Sequence, residues 1–75
     1  MSALNKQRRL RGLLGRRVRE ERKKRKWSQE KLAEMAEITQ VYVSEIEAGK
    51  RAVSIDVIES IAAAFKLDAT ELLTR

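Results

Sequence analysis

The side chains best equipped for chemistry in this sequence are its cations, and they crowd one end. Residues 1–26 carry twelve Lys and Arg against only Glu20 and Glu21, a net charge of +10. Residues 27–75 carry five basic and nine acidic side chains, a net −4. Such an asymmetry suits an anionic partner met by the first third of the chain, although the same charges also serve as a solvated, solubilising face. Covalent chemistry has little to work with. There is no histidine and no cysteine, which removes the commonest general base, the thiol nucleophile and any cysteine-based metal site. No Gly-rich phosphate loop is present, and each Ser or Thr reads as a helix cap or a surface residue. No catalytic residue, metal or cofactor is expected, and the chain is not read as an enzyme.

The elements that must position these charges are short helices. Seventy-five residues make one small domain, and 43% apolar content is ordinary for a folded chain. Scarce aromatics and the absence of proline favour helices over a sandwich or barrel. The longest apolar run, residues 61–65, is too short for a membrane span or a signal-peptide core. Nothing calls for an oxidising compartment, so the cytoplasm is expected.

Helix starts are located by capping chemistry. A side-chain oxygen at the N-cap satisfies a free backbone N–H, and an apolar residue just before it staples to one five positions on. The arrangement occurs four times, at Ser28 (Trp27, Leu32), Thr39 (Ile38, Val43), Ser54 (Val53, Ile58) and Asp68 (Leu67, Leu72). Glu71 adds a capping box to Asp68. The first helix is expected to run to about Lys26, with Leu10, Leu14, Val18 and Arg22 on one stripe. The second covers Gln29–Ala36, with Leu32, Ala33 and Ala36 inward. A third, residues 40–48, turns Val43 and Ile46 inward and stops at Gly49. The fourth, Ile55–Phe65, buries Ile55, Ile58, Ile61, Ala62 and Phe65, and a fifth covers Ala69–Leu73. Residues 1–11 read as a basic N-terminal arm, loose or a frayed extension of the first helix, and residues 12–75 as the folded domain.

The stretch 35–40, MAEITQ, decides the functional reading. A single helix through it is possible on propensity. The cap and staple at Ile38 and Thr39 favour a turn, with Glu37 left-handed where glycine is usual, at a cost of ~1 kcal/mol.

A short helix, a three-residue turn and a second short helix form a helix-turn-helix. With SQEKLAEMA, VSEIEAGKR and IAAAFKLDATELL in place, residues 14–73 resemble a Cro/repressor-type (Xre-like) DNA-binding domain, an all-α, five-helix, lambda-repressor-like fold. The sequence departs from the family pattern at Glu37, where glycine is frequent, and at Val53, where proline is frequent. The Val53–Ser54 pair is similar to the small controller proteins of restriction–modification systems.

In such a motif the second helix enters the major groove with its N-terminal residues on base edges. Here these are Gln40, Val41, Ser44 and Glu45. Gln40 suits an adenine edge, Val41 a thymine methyl and Glu45 a cytosine amino group. Gln29, at the start of the second helix, would aim the helix dipole at a phosphate. The resemblance implies further backbone contacts from Thr39, Tyr42, Lys50 and Arg51, with packing at the domain edge as the other reading for Tyr42. It also implies an ion pair between Arg22 and Glu47 that orients the third helix. The run of charges from Arg16 to Lys26 radiates around the first helix and is expected to be mostly solvated. Lys6, Arg8, Arg9 and Arg11 either follow the backbone and enter a minor groove or form a solubilising tail. The implied function is sequence-specific binding of double-stranded DNA, on a palindromic operator, by a homodimer. Helices four and five supply the dimer candidates Val57, Ala64 and Leu73. An arginine-rich RNA-binding module and an antitoxin-type protein-binding regulator remain as alternatives.

Overall fold

The computed structural model describes residues 3–73, with side chains from Arg9 to Leu73. Five helices follow one another: α1 (Ala3–Lys24), α2 (Gln29–Ala36), α3 (Gln40–Glu47), α4 (Ile55–Phe65) and α5 (Ala69–Leu73). The described residues contain no strand. No described helix is long and apolar enough to cross a membrane.

The four helix starts form through local chemistry. The hydroxyls of Ser28, Thr39 and Ser54 accept hydrogen bonds from the N–H groups of Lys31 (3.0 Å), Tyr42 (3.0 Å) and Val57 (3.1 Å). Asp68 accepts from Thr70 N–H at 2.9 Å, and its own N–H donates to the Glu71 carboxylate at 2.7 Å. The Thr70 N–H and hydroxyl hold the Asp68 carboxyl below its ordinary value.

The helix ends repeat a second motif. Lys26, Glu37 and Lys66 take left-handed conformations, with φ of 57°, 58° and 60°, and Gly49 does so at 70°. After each, the next N–H reaches back to a carbonyl in the last helical turn: Trp27 to Arg22 (3.1 Å), Ile38 to Ala33 (3.0 Å), Lys50 to Glu45 (3.0 Å) and Leu67 to Ala62 (2.8 Å). These are Schellman ends. In three of them the residue after the left-handed one is apolar and directly precedes the next N-cap. Trp27, Ile38 and Leu67 therefore close one helix and staple the next, and all three pack on the core. One apolar side chain sets each junction, four residues long between α1 and α2 and three residues long at the other two.

The core comprises Leu14, Val18, Leu32, Ala33, Ala36, Val43, Ile46, Ile61, Ala62, Phe65 and Leu72. Two residues expected inward are not. Leu10 is 65% exposed and Ile55 is 74% exposed. Both lie on the apolar face of their helices, one turn before the packed stretch that begins at the buried Leu14 in α1 and at the partly buried Ile58 in α4. Helix α1 begins at Ala3, so residues 3–11 continue the first helix rather than forming a loose arm. The side chains of Lys6 and Arg8 lie outside the described residues.

Helix α3 rests closely on α1. A Cβ on Gly15 would fall 2.3 Å from the Ile46 carbonyl oxygen and 2.9 Å from that of Glu47. Only a glycine lets the two backbones meet at this distance.

Helix α1 also carries an ionic hub that sequence reasoning missed. Glu21 is 4% exposed. Its carboxylate accepts from Arg25 at 2.8 Å and Lys24 at 3.2 Å, and from Arg17. Arg17 also donates to the Glu71 carbonyl (3.0 Å), and Arg25 to the Phe65 carbonyl (2.7 Å), tying α1 to the middle of α5 and the turn after α1 to the end of α4. The Arg25 guanidinium lies 4.6 Å from the centroid of the Phe65 ring, which stacks on Trp27 at 5.7 Å. The Arg25 hydrogen bond, opposed by burial and aided by Arg17 and Lys24, holds the Glu21 carboxyl down to about 2. The spacing Arg17, Glu21, Arg25 was a legible i, i+4 signal. It shows that part of the basic run is structural rather than simply solvated.

Candidate nucleic-acid interface

Helices α2 and α3 are joined by Glu37, Ile38 and Thr39. Glu37 turns the chain with φ 58° and ψ 43°, and Thr39 caps α3. The stretch 35–40 is thus a turn, and Glu37 takes the positive φ expected of it.

Two buried residues fix which face of α3 is free. Val43 and Ile46 point into the core at 0% and 1% exposure. The opposite face presents Gln40 and Val41, both exposed, and Ser44 and Glu45, both partly exposed. All four base-edge candidates therefore share one accessible surface, at 0, 1, 4 and 5 along the helix.

A polar relay holds this surface to the rest of the domain. Arg22 grips Glu47 with both branches of its fork, Nε to Oε2 at 2.7 Å and Nη2 to Oε1 at 2.8 Å. The third nitrogen, Nη1, donates to the Trp27 carbonyl at 2.9 Å. The pair is well shielded, with side chains 12% and 5% exposed. The carboxylate raises the Arg22 pKa, so the guanidinium stays charged. Glu47 Oε1 also accepts from Gln29 Nε2 at 3.2 Å, and Gln29 Oε1 accepts from Gln40 Nε2 at 2.9 Å. A continuous path thus runs from α1 through the root of α3 and the start of α2 to the first residue of α3. Gln29 sits at the α2 N-terminus as expected. Its side chain is also spent on orienting Gln40, which the sequence did not reveal.

The backbone candidates divide. Thr39 is exposed with its hydroxyl occupied by the cap. Tyr42 packs partly on the core while its ring carries Arg51, whose guanidinium carbon lies 4.1 Å from the ring centroid. Lys50 is exposed. Arg51 Nη1 donates to Glu45 Oε1 at 2.7 Å, an exposed contact. Glu45 in turn raises the Arg51 pKa. A residue expected to read bases and one expected to hold the backbone therefore hold each other.

The dimer candidates do not form one patch of equal exposure. Val57 and Ala64 pack partly on the core. Leu73 is 62% exposed and lines a groove with Leu10, Leu13, Val53 and Ile58.

A capped two-helix turn that presents a polar, accessible second helix defines a helix-turn-helix protein. The helix-turn-helix family model matches residues 18–72, and the chain belongs to that family, of the Cro/repressor (Xre-like) type. Among its relatives, the chain is 43% identical over 65 residues to control protein C.BamHI of Bacillus amyloliquefaciens, covering 85% of this chain and 80% of the relative. Its fold is similar to that of the restriction–modification controller protein C.AhdI from Aeromonas hydrophila. The TM-score there is 0.81 at 35% identity, covering 83% of this chain and 94% of the other. A hypothetical transcription factor from Neisseria, NHTF, superposes with a TM-score of 0.84 at 35% identity, over 87% and 75% of the two chains.

Proposed function

We propose that this protein is a cytoplasmic transcriptional regulator of the restriction–modification controller type, binding a palindromic double-stranded operator as a homodimer. The observation that carries this is the relay from Arg22 through Glu47 and Gln29 to Gln40. It presents the first turn of α3 at a fixed angle, which base-edge recognition in the major groove demands. Gln40, Val41, Ser44 and Glu45 form the reading surface. Gln29, Thr39, Tyr42, Lys50 and Arg51 flank it as contacts to the backbone, where most of the affinity arises. The likeness to two proteins named as controllers supports the regulatory type.

An eight-residue reading helix spans only a few base pairs, so a second copy is needed to lengthen the site. The surface proposed for it lies on α4 and α5, with Leu73 exposed and Val57 and Ala64 at the edge of the core. Residues 12–75 form the binding domain and residues 1–11 its basic arm, of which residues 3–11 belong to the first helix. RNA binding by the arginine-rich segment is the weaker reading, because Arg17, Arg22 and Arg25 are committed to internal carboxylates.

In vitro selection of bound duplexes, combined with sedimentation of the free protein, tests this. The expected result is a two-fold symmetric consensus, a dimer, and binding that falls with salt at a log–log slope of roughly −0.9 per phosphate contact. A consensus without symmetry, or a monomer that binds singly, refutes the homodimer. Salt-independent binding refutes the backbone contacts.

A further inference from the structure

We infer that Glu45 is a positioning residue for Arg51, and that the Arg51 guanidinium, rather than the Glu45 carboxylate, is the group that meets DNA. The inference rests on the DNA-binding reading above and changes the role of one residue within it.

Arg51 does not belong to α3, which ends at Glu47. Its side chain nevertheless folds back over the helix. The backbone makes that return possible. Gly49 turns left-handed at φ 70°, and the N–H of Lys50 bonds the Glu45 carbonyl at 3.0 Å. The chain is thereby reversed beside the residue whose carboxylate Arg51 then binds.

Tyr42 and Glu45 lie three residues apart and so share a side of α3. Together they form a cradle. The Tyr42 ring supports the flat face of the guanidinium at 4.1 Å, and Glu45 Oε1 accepts from one edge nitrogen at 2.7 Å. A guanidinium has five N–H donors, so several remain for a phosphate or a guanine edge. The arginine stays accessible, its side chain 48% exposed and that of Glu45 42% exposed.

The electrostatics favour the same assignment. A bare carboxylate on the reading surface repels a polyanion. Paired with Arg51 it presents no net charge, and its orientation benefits the cation. An unsupported arginine on a loop would sample many rotamers and lose that freedom on binding. The cradle removes part of the loss beforehand.

The test uses the full chain and the duplex selected by the wild-type protein. Binding is measured by fluorescence anisotropy for the wild type, Glu45→Ala, Arg51→Ala and the double variant. Selection is then repeated with Glu45→Ala and with Arg51→Ala. Melting temperatures check that the single variants remain folded, as expected for exposed side chains. Each single variant should weaken binding on the order of tenfold, and the double variant should be no weaker than Arg51→Ala alone. Repeated selection with Glu45→Ala should show the same change in preference as with Arg51→Ala. Glu45→Ala acting in full on top of Arg51→Ala, with preference relaxed at one cytosine-containing pair, overturns the inference and makes Glu45 a base reader. Wild-type binding by both single variants also overturns it. Failure of the wild type to select any duplex refutes the DNA-binding reading itself, which the wild-type arm reveals separately.

Discussion

Replacing Glu47 with alanine removes the only carboxylate that faces Arg22 among the described residues. The guanidinium keeps its bond to the Trp27 carbonyl. It loses two charge-assisted bonds of 2.7 and 2.8 Å, in a setting where its side chain is 12% exposed. Breaking a buried pair from one side costs about 3–5 kcal/mol, because the remaining charge stays desolvated. The residual exposure and the Trp27 bond place this case near about 3 kcal/mol. A domain of this size is held by roughly 4–11 kcal/mol in total, so the loss is a large share. It corresponds to a fall in melting temperature of about 12–24 °C. Urea unfolding followed by far-UV circular dichroism measures it, with the slope against urea unchanged. Arg22→Ala combined with Glu47→Ala should cost less than the two single losses together, since no unpaired charge remains. Stability should fall before sequence preference changes, and any change of preference in the still-folded variant should centre on the base pair read by Gln40, which Glu47 orients through Gln29. A loss below about 1 kcal/mol, the range of screened surface pairs, would refute the reasoning.

Three other perturbations test separate parts of the fold. Glu37→Gly relieves a left-handed conformation at φ 58° and should raise stability by about 1 kcal/mol, less the extra freedom of the unfolded chain. A loss of stability in urea melts would show that the Glu37 side chain has a role of its own. Gly15→Ala drives a Cβ to 2.3 Å from the Ile46 carbonyl. Chemical denaturation should show a net loss of about 1–3 kcal/mol, despite alanine's helix propensity, together with weaker DNA binding as α3 shifts. Unchanged stability and binding would mean that α1 and α3 are not locked at this point. Glu21 supplies a pH dependence. Its carboxyl is held down to about 2 in the folded protein, chiefly by Arg25. Its contribution is therefore complete above its unfolded value and fades as pH falls from about 5 towards 2. With Arg17 and Arg25 still 22% and 25% exposed, solvent screening limits this to about 2 kcal/mol. Denaturant midpoints at pH 6 and pH 3 should differ more for the wild type than for Glu21→Gln, and equal differences would rule the hub out as their source.

The elements were legible because their signals are short-ranged. A cap and its staple lie within six consecutive residues, so Ser28, Thr39, Ser54 and Asp68 announced their helices without reference to the fold. Glu37 could be read as left-handed for the same reason, since a cap two residues later requires the preceding helix to stop. Lys26 and Lys66 have the same geometry and were not read, although Trp27–Ser28 and Leu67–Asp68 repeat the pattern of Ile38–Thr39. The signal was present, but lysine at such a position carries no preference of its own to draw attention.

Periodicity identified which face of each helix is apolar, and it could do no more. Leu10 and Ile55 are in register with buried neighbours yet exposed, because burial depends on what stands opposite and not on the residue. The reading surface shows the same division. That Gln40, Val41, Ser44 and Glu45 share a face of α3 follows from the helical period alone. That Gln29 holds Gln40, that Glu47 is shared between Arg22 and Gln29, and that Arg51 folds back onto Glu45 and Tyr42 were decided only by the tertiary structure. The sequence determined where this chain turns and which sides of its helices are polar. Which of those polar groups remain free for a partner was settled when packing brought charges from different helices within hydrogen-bonding distance, a matter of three-dimensional proximity that no local pattern encodes.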